Sequence, residues 1–352
     1  DYKGRIGYHR KMTFQRKYRP EFFSQIKGQD FTVKTLQLSI DNGKFSQAYM
    51  LSGGHGTGKT SIARILAKAI NCQNTDAPTS HPCGKCQSCR GNSLDYVEVD
   101  AASNSGVQDA RNLVQNAHLS AAQSRYRVFC IDEAHNLSLS AQDALLKVLE
   151  DPPAHAVFIL CTTEPRKILD TIRSRCHEFL LRSVESTSYL KEIAAKEGIT
   201  AQDDALEMLA RNSGGSLREA QKGLDLLASR NEPITIDMVR EYLNQIDPRK
   251  IYPIVQAIKN GSPLGVVQEL SSLDFPSEQI LGKLCEVYRD LFLLSVSGEG
   301  KEEIKDLLSD RAHLMHIVRQ LKDTSAQIHK VPEKQRMVWL EVVLLDCAKM
   351  DT

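Results

Sequence analysis

The sequence predicts an α/β fold, in which a parallel sheet with crossover helices is followed by two helical domains. From residue 48 to residue 181, short apolar runs of strand length alternate with segments of helical period. This alternation favours a parallel sheet, because parallel strands need crossover connections. After about residue 183 the strand pattern ends, and apolar residues recur only at helical spacing.

Five apolar runs are expected to form the sheet, and three amphipathic segments are expected to form its crossover helices. The expected strands are Ala48–Ser52, Tyr96–Asp100, Arg127–Asp132, Val157–Thr162 and His177–Leu181. The expected helices are Ser61–Ile70, Val107–Leu119 and Ala141–Leu149. Each run has the length of about four to eight residues that is usual for a buried strand.

The remainder of the sequence predicts helices. Four segments of helical period are expected to form a small second domain: Tyr189–Lys196, Asp203–Arg211, Leu217–Ser229 and Ile236–Leu243. A further helical block runs from about residue 250 to residue 350. Its last segment, Met337–Cys347, is apolar almost all round, so it is expected to be buried in a core or an interface.

Length and charge place only broad limits on function. A chain of 352 residues is expected to hold two or three domains. It has no apolar run of about 18 residues, so no membrane span is predicted. The first residues contain no apolar signal core, which makes the cytoplasm the expected location. A net charge of +1 does not exclude nucleic-acid binding, because a local basic face is sufficient.

Residues 53–60 fit the phosphate-loop pattern G-x-x-x-x-G-K-[ST]. Its glycines let the backbone wrap around phosphate oxygens, Lys59 would reach the terminal phosphates of ATP, and the Thr60 hydroxyl would ligate Mg²⁺. An apolar strand precedes the loop and an amphipathic helix follows it, which disfavours a chance glycine-rich turn. The residues predicted to bind ATP in this loop are Gly53, Gly54, His55, Gly56, Thr57, Gly58, Lys59, Thr60 and Ser61.

A second part of the nucleotide site is an apolar strand that ends in two carboxylates, Asp132 and Glu133. Asp132 would hold Mg²⁺, and Glu133 would polarise the attacking water. An acidic pair after a strand is usually a solvated turn, but together with the phosphate loop it indicates an ATPase. Residues 132–135 also spell the Asp-Glu-Ala-His box of one group of helicases, although the remaining layout does not fit two motor domains.

Four of the nine cysteines lie close together, with the spacing Cys72-x₁₀-Cys83-x₂-Cys86-x₂-Cys89. Four thiolates can surround one tetrahedral Zn²⁺, and four protein ligands leave no open catalytic position. The segment is too small for a core of its own, so a structural zinc would supply the missing stability. Disulfides or a redox pair are the alternatives, which a reducing cytoplasm disfavours.

Seven further segments carry a resemblance to a known family. They are 16–20 (Arg-Lys-Tyr-Arg-Pro), 26–29 (Ile-Lys-Gly-Gln), 100–103 (Asp-Ala-Ala-Ser), 150–153 (Glu-Asp-Pro-Pro), 162–165 (Thr-Thr-Glu-Pro), 174–176 (Ser-Arg-Cys) and 215–220 (Gly-Ser-Leu-Arg-Glu-Ala). No single segment is specific, but their order and spacing resemble the gamma/tau subunits of bacterial clamp loaders, which are AAA+ ATPases. His55 and Asp151 depart slightly from the family's pattern.

The resemblance implies a domain scheme. It comprises an AAA+ nucleotide-binding domain at 12–183 with a four-cysteine zinc module at 72–89, a helical lid at 184–246 and a helical collar for oligomerisation at 247–352. Residues 1–11 would be an extension of unknown role.

The resemblance also implies roles for residues outside the phosphate loop. Thr163 would face the γ-phosphate or the attacking water, whereas capping of the strand end is favoured for Thr162. Arg218 would sense the γ-phosphate from the lid. Arg175 would act as an arginine finger that points into the ATP site of a neighbouring subunit. The residues implied for the adenine side are Tyr18, Arg19 and Pro20.

The implied reaction is hydrolysis of ATP to ADP and phosphate, which opens a sliding clamp and closes it on primed DNA. The chain would act within the DNA polymerase III holoenzyme, a DNA-directed DNA polymerase (nucleotidyltransferase) complex. Its partners would be other clamp-loader subunits in a pentameric hetero-oligomer, the clamp, and primed DNA contacted through its phosphates. The basic residues expected to face DNA are Arg111, Lys147, Arg166 and Lys167.

Two alternative functions remain open from the sequence. A non-hydrolysing scaffold subunit of the same complex would have lost its phosphate loop, whereas Lys59, Thr60, Asp132 and Glu133 are all present here. Another AAA+ DNA motor, such as a branch-migration helicase, is disfavoured by the cysteine insert and the Ser-Arg-Cys triplet.

Overall fold

A computed structural model describes residues 12–91, 93–298 and 302–348 of the chain. The chain divides into two compact units, Asp1–Ile236 and Asp237–Thr352. The expected extension at residues 1–11 lies outside the described residues. The expected separation of a lid from a collar at residue 247 stays a prediction.

The first unit contains a five-stranded parallel sheet, as the sequence predicts. Its strands are β1 (Ala48–Gly53), β2 (Tyr96–Asp100), β3 (Arg127–Asp132), β4 (Ala156–Thr162) and β5 (His177–Leu181). The strand order is β2-β3-β4-β1-β5, so β1 lies between β4 and β5. Met50 is aligned with Leu160 of β4 and with Glu178 of β5. The five expected strands are therefore confirmed to within one residue at each end.

Helices cover both faces of the sheet or follow it along the chain. In the first unit they are α1 (Phe14–Lys17), α2 (Asp30–Asp41), α3 (Lys59–Ile70), α4 (Val107–Ala117), α5 (Leu139–Glu150), α6 (Asp170–Arg173), α7 (Thr187–Glu197), α8 (Asp203–Asn212) and α9 (Leu217–Ala228). Short 3₁₀ turns lie at Phe23–Gln25, Ala134–Asn136 and Pro165–Lys167. Helix α10 (Ile236–Tyr242) spans the boundary between the units.

Two apolar cores lie on the two faces of the sheet, because neighbouring strand residues point to opposite sides. Met50 belongs to one core, with Phe129 and Phe158, whose rings stack at 5.3 Å. Leu51 belongs to the other, which packs against α2 and α3. All seven residues of β4 are buried, as expected for a central strand of a parallel sheet.

The second unit is helical throughout its described residues, as the sequence predicts. Its helices are α11 (Tyr252–Lys259), α12 (Pro263–Ser271), α13 (Ser277–Ser297), α14 (Arg311–Gln327) and α15 (Glu333–Ala348). Its 3₁₀ segments are Pro248–Lys250, Glu302–Leu307 and Ile328–Lys330. Within the described part of the chain, the helices are all too short or too polar to cross a membrane.

Helix α15 buries one of its faces in the core. Its segment Met337–Cys347 was expected to be buried in a core or an interface, and in the single chain Val338 is 61% exposed and Val342 is 50% exposed, so burial of these two residues in an interface stays a prediction. Leu340 and Leu344 are buried. Because residues four apart share a helix face, the two valines form one exposed face, and the two leucines form the face that packs in the core.

Candidate functional site

The phosphate loop joins the carboxyl end of β1 to the first turn of α3. The Lys59 ammonium group donates hydrogen bonds to the backbone oxygens of Gly53 and Gly54, at 2.9 and 2.8 Å. Burial lowers the pKa of Lys59, and the nearby carboxylates of Glu133 and Asp132 act in the opposite direction. A largely desolvated cation at the start of a helix is suited to bind phosphate oxygens.

The two residues predicted to hold Mg²⁺ lie together at the carboxyl edge of the sheet. Thr60 is the second residue of α3, and Asp132 is the last residue of β3. The Thr60 hydroxyl donates a hydrogen bond to one Asp132 carboxylate oxygen at 2.8 Å. The backbone N–H of Glu133 donates to the other oxygen at 3.1 Å. A hydroxyl and a carboxylate in contact can share one hard cation such as Mg²⁺.

A cavity of about 610 Å³ opens beside the phosphate loop. Its volume falls in the range of about 300–1,000 Å³ that is usual for small-molecule sites. The residues predicted to bind or hydrolyse ATP that line it are Arg19, Pro20, His55, Gly56, Thr57, Gly58, Lys59, Thr60, Ser61, Asp132, Glu133 and Arg218. Most of the predicted site is therefore brought to one place.

The start of helix α9 contacts the phosphate loop directly. A Cβ atom on Gly56 would lie 2.1 Å from the Ser216 hydroxyl oxygen and 3.2 Å from the Cβ atom of Arg218. Gly56 also has a φ of 70°, which favours glycine. Ser216 caps α9 by accepting a hydrogen bond from the backbone N–H of Glu219 at 3.3 Å. The loop and α9 thus leave no room for a side chain at residue 56.

Several of the predicted residues do not line the cavity. Gly53 and Gly54 contribute through the backbone oxygens that hold Lys59. Tyr18 is directed elsewhere, because its hydroxyl donates a hydrogen bond to Glu197 and its ring meets Phe14 edge-on at 5.9 Å. Tyr18 is not part of the cavity lining among the described residues, and its expected place on the adenine side stays a prediction.

The end of β4 carries two threonines with different surroundings. Thr162 is fully buried, and its hydroxyl oxygen accepts a hydrogen bond from the backbone N–H of Glu164 at 3.1 Å. It thus caps the strand end, as expected. The Thr162 hydroxyl also lies 3.2 Å from Nδ1 of His135. Thr163 is half-buried and is not part of the cavity lining among the described residues.

Arg175 lies far along the sheet from its own phosphate loop. It precedes β5, whose first residue, His177, is aligned with Tyr49 near the start of β1. The loop begins four residues later at Gly53, a distance of about 13 Å along the strand. The Arg175 guanidinium donates hydrogen bonds to the backbone oxygen of Thr171 at 2.5 Å and to the Glu150 carboxylate.

The cavity has residues that the sequence analysis missed, among them Arg64, Tyr189 and Gln221. Arg64 lines it from α3 and makes a two-pronged contact with the Glu98 carboxylate, at 2.7 and 2.6 Å. Tyr189 and Gln221 line it from α7 and α9 and bond to each other at 2.8 Å. Arg64 lies one helical turn beyond Thr60, which is a signal that the sequence contained. Tyr189 and Gln221 are far apart in sequence and are brought together only by the tertiary fold, so the sequence held no signal for them.

The four clustered cysteines bring their sulfur atoms within 4.8 Å of one another. Backbone N–H groups point at these sulfurs, which suits thiolates. Those of Lys85 and Cys86 donate to Cys83 at 3.4 and 3.3 Å, and that of Cys83 donates to Cys72 at 3.4 Å. The hydrogen bonds from the backbone N–H groups of Lys85 and Cys86 lower the pKa of Cys83 to about 6, whereas burial raises the pKa of Cys89. The donor set fits one tetrahedral zinc ion.

The cysteines are not paired as disulfides in the described chain, where all nine are free thiols. The segment is tied to its surroundings by hydrogen bonds rather than by a core. Ser80 donates to the Asp41 carboxylate at 2.7 Å, and Arg125 donates to the backbone oxygen of Cys72 at 2.9 Å. Its contact with the N-terminal segment is close, because a Cβ atom on Gly84 would lie 2.9 Å from the Phe22 ring.

Comparisons with known proteins identify related chains. Residues 28–185 match the family model "DNA polymerase III, delta subunit". The chain is 37% identical over 314 residues to a DNA polymerase III subunit gamma/tau of Mycobacterium tuberculosis, covering 85% of this chain and 54% of that one. It is 33% identical over 325 residues to the tau subunit of Escherichia coli, covering 89% and 50%. It is 42% identical over 217 residues to the tau subunit of Bacillus subtilis, covering 60% and 38%.

Similar solved structures include the Holliday junction branch migration motor RuvB of Thermotoga maritima. It has a TM-score of 0.48 at 21% identity and covers 85% of this chain and 91% of that one. The Bacillus subtilis DNA clamp loader delta protein has a TM-score of 0.36 at 17% identity, covering 90% and 99%. The chain spans about half the length of the first relatives named above, and less of the third. Over most of its own length, the chain is a homologue of the DNA polymerase III gamma/tau subunits.

Proposed function

We propose that this chain is an ATP-driven motor subunit of a bacterial clamp loader, which hydrolyses ATP to load the sliding clamp onto primed DNA. The observation that carries the proposal is the meeting of Lys59, Thr60, Asp132 and Glu133 at one cavity. These residues supply a phosphate-binding cation, a pair of Mg²⁺ ligands and a carboxylate for the attacking water. The names of the relatives support the clamp-loader role.

The chain's own residues would promote hydrolysis by positioning the phosphates and the attacking water and by neutralising negative charge on the phosphates. The loop amides and the start of α3 would bind the phosphates, and Lys59 would neutralise charge on the terminal ones. Mg²⁺, held by Thr60 and Asp132, would supply further neutralisation when bound. Glu133 would orient the attacking water and accept its proton.

Arg218 would contact the γ-phosphate from the α9 side of the cavity and so distinguish ATP from ADP. It lies in the first turn of α9, which touches the phosphate loop at Gly56. Arg19 lines the same cavity, and burial together with nearby cations lowers the pKa of its guanidinium. A cavity that is lined, among the described residues, by three arginines and two lysines is suited to a polyphosphate. Loss of the γ-phosphate would weaken the contact of Arg218 and release α9.

The partners in this proposal follow from the family resemblance rather than from the site. They are further clamp-loader subunits in a pentameric hetero-oligomer, the sliding clamp and primed DNA, in the bacterial cytoplasm and within the DNA polymerase III holoenzyme. Contact with DNA would be made to phosphates and would weaken with salt. The candidate residues are Arg111, Lys147, Arg166 and Lys167, all of which are exposed.

The test of the proposed function is ATP turnover by the reconstituted assembly. We expect slow turnover by the chain alone, and faster turnover when partner subunits, clamp and primed DNA are present together. The reason is that Arg175 lies far from its own cavity, so that the site is incomplete in one chain. Turnover that is independent of clamp and DNA would favour another AAA+ motor, and absence of ATP binding would favour a scaffold subunit.

We also propose that Cys72, Cys83, Cys86 and Cys89 hold one structural zinc ion. The four sulfurs are close enough for one ion, and four thiolates complete its tetrahedral shell. The ion would fix the insert in place of an apolar core, so its role is stability rather than catalysis.

We expect one zinc per chain by elemental analysis of protein purified without added metal. Cys83→Ser should reduce the zinc content and lower the melting temperature, because three thiolates hold zinc more weakly than four. Cys285→Ser is the matched control, since Cys285 lies in the second unit and outside the cluster. Stoichiometric disulfides, or equal zinc and stability in both variants, would contradict the assignment.

A further inference from the structure

The Glu133 carboxylate lies between two imidazole rings. Its Oε2 atom is 3.5 Å from Nδ1 of His135, and its Oε1 atom is 3.6 Å from Nδ1 of His55. Oε2 is buried and accepts no hydrogen bond within the described part of the chain. A buried carboxylate oxygen needs a donor, and the His135 ring is the group within reach.

The two histidines differ in how firmly they are held. The His135 side chain is 11% exposed, whereas that of His55 is 79% exposed on the phosphate loop. His135 lies in the 3₁₀ turn that follows Glu133. Glu133 has a φ of 48°, an uncommon conformation for a residue with a side chain. With this backbone turn, the His135 ring lies beside the Glu133 carboxylate.

His135 also contacts the end of β4 and the loop beyond it. Its Nδ1 atom is 3.2 Å from the Thr162 hydroxyl, and its Nε2 atom is 3.7 Å from the Glu164 carboxylate. Glu164 is held in turn by Lys167, at 2.9 Å. One ring thus joins the carboxylate at the end of β3 to the segment that follows β4.

We propose that His135 is a positioning residue for ATP hydrolysis, which holds the Glu133 carboxylate at the angle needed to orient the attacking water. This inference rests on the proposed function, because it assigns His135 a role only through Glu133. Within the described residues, the His135 ring forms no hydrogen bond or ion pair with Lys59, Thr60 or Asp132, so we expect ATP binding not to depend on it. Thr162 contacts the same ring atom as Glu133, Nδ1, and Glu164 lies beside the other nitrogen, Nε2, so both ends of the ring are held.

The expected effect of His135→Leu is a fall in kcat of about 10-fold or more, as is usual when a group that orients a functional residue is removed. The KM for ATP should change little. His135→Asn should recover much of the activity, because the amide nitrogen of Asn lies near the position of Nδ1 and can donate to Glu133. His118→Asn is the matched control, since His118 is exposed at the end of α4.

The experiment measures single-turnover ATP hydrolysis in the reconstituted assembly for His135→Leu, His135→Asn, Glu133→Gln and the double variant Glu133→Gln/His135→Leu. If His135 acts through Glu133, the double variant should be no slower than Glu133→Gln alone. The inference would be overturned if the double variant lost activity by the product of the two single-variant fold-reductions. It would also be overturned if His135→Leu hydrolysed ATP as fast as the unaltered chain. Unchanged turnover in Glu133→Gln would instead overturn the proposed function. If His135→Leu fails to fold, His135→Asn provides the test, because the inference predicts that it folds and keeps much of the activity.

Discussion

Lys59→Ala is expected to abolish measurable ATP binding while leaving the fold intact. Lys59 is 6% exposed, and its ammonium group is the predicted partner of the terminal phosphates. Loss of a buried charged partner costs about 3 kcal/mol or more, which corresponds to about 100-fold or more in affinity. The fold should survive, because within the described part of the chain the ammonium group donates hydrogen bonds only to the backbone oxygens of Gly53 and Gly54. Water can replace it at the exposed Gly54.

The measurement is equilibrium binding of ATP, accompanied by thermal unfolding. Lys68→Ala is the matched control, because Lys68 lies on the same helix but outside the cavity lining. Both variants should unfold near the temperature of the unaltered chain. Undiminished ATP affinity in Lys59→Ala would remove the basis for the nucleotide site.

The parallel sheet could be predicted because each strand is a short buried run that carries its own signal. Strand β3, for example, has four consecutive buried residues and ends at the predicted Asp132. The phosphate loop could be predicted because its function depends on the local backbone and on adjacent residues. Both features are encoded within about ten neighbouring residues.

Other parts of the site could not be predicted because they depend on residues far apart in sequence. Gln221 reaches the cavity through α9 and bonds to Tyr189 of α7. The position of His135 beside Glu133 depends on the positive φ at residue 133, which no residue type in that turn signals. The exposure of Val338 depends on which face of α15 packs against the core, and a helix that is apolar all round does not indicate that face.

Arg175→Ala is expected to leave ATP binding by the isolated chain unchanged and to lower hydrolysis in the assembly by about 10³-fold or more. Arg175 precedes the edge strand β5 at the end of the sheet opposite the phosphate loop, and it does not line its own cavity in the described structure. In the isolated chain its guanidinium is held by Glu150 and Thr171. We therefore expect Arg175 to complete the site of a neighbouring subunit, as an arginine finger does.

The control is Arg173→Ala, because Arg173 is two residues away and pairs with Asp170 and Glu178 of its own chain. Its loss should have a much smaller effect on hydrolysis in the assembly. If Arg175→Ala instead weakens ATP binding by the lone chain and has no added effect in the assembly, the residue serves its own site.

Mixing two variants tests most directly the central claim that the chain is a motor whose ATP sites are completed on assembly. One chain carries only Arg175→Ala and the other only Lys59→Ala, and ATP hydrolysis is measured in assemblies that contain both. We predict that activity survives only at interfaces where an intact Arg175 meets an intact Lys59 of the neighbouring chain. Activity that instead follows the number of chains with both residues intact, whatever their neighbours, would contradict the account.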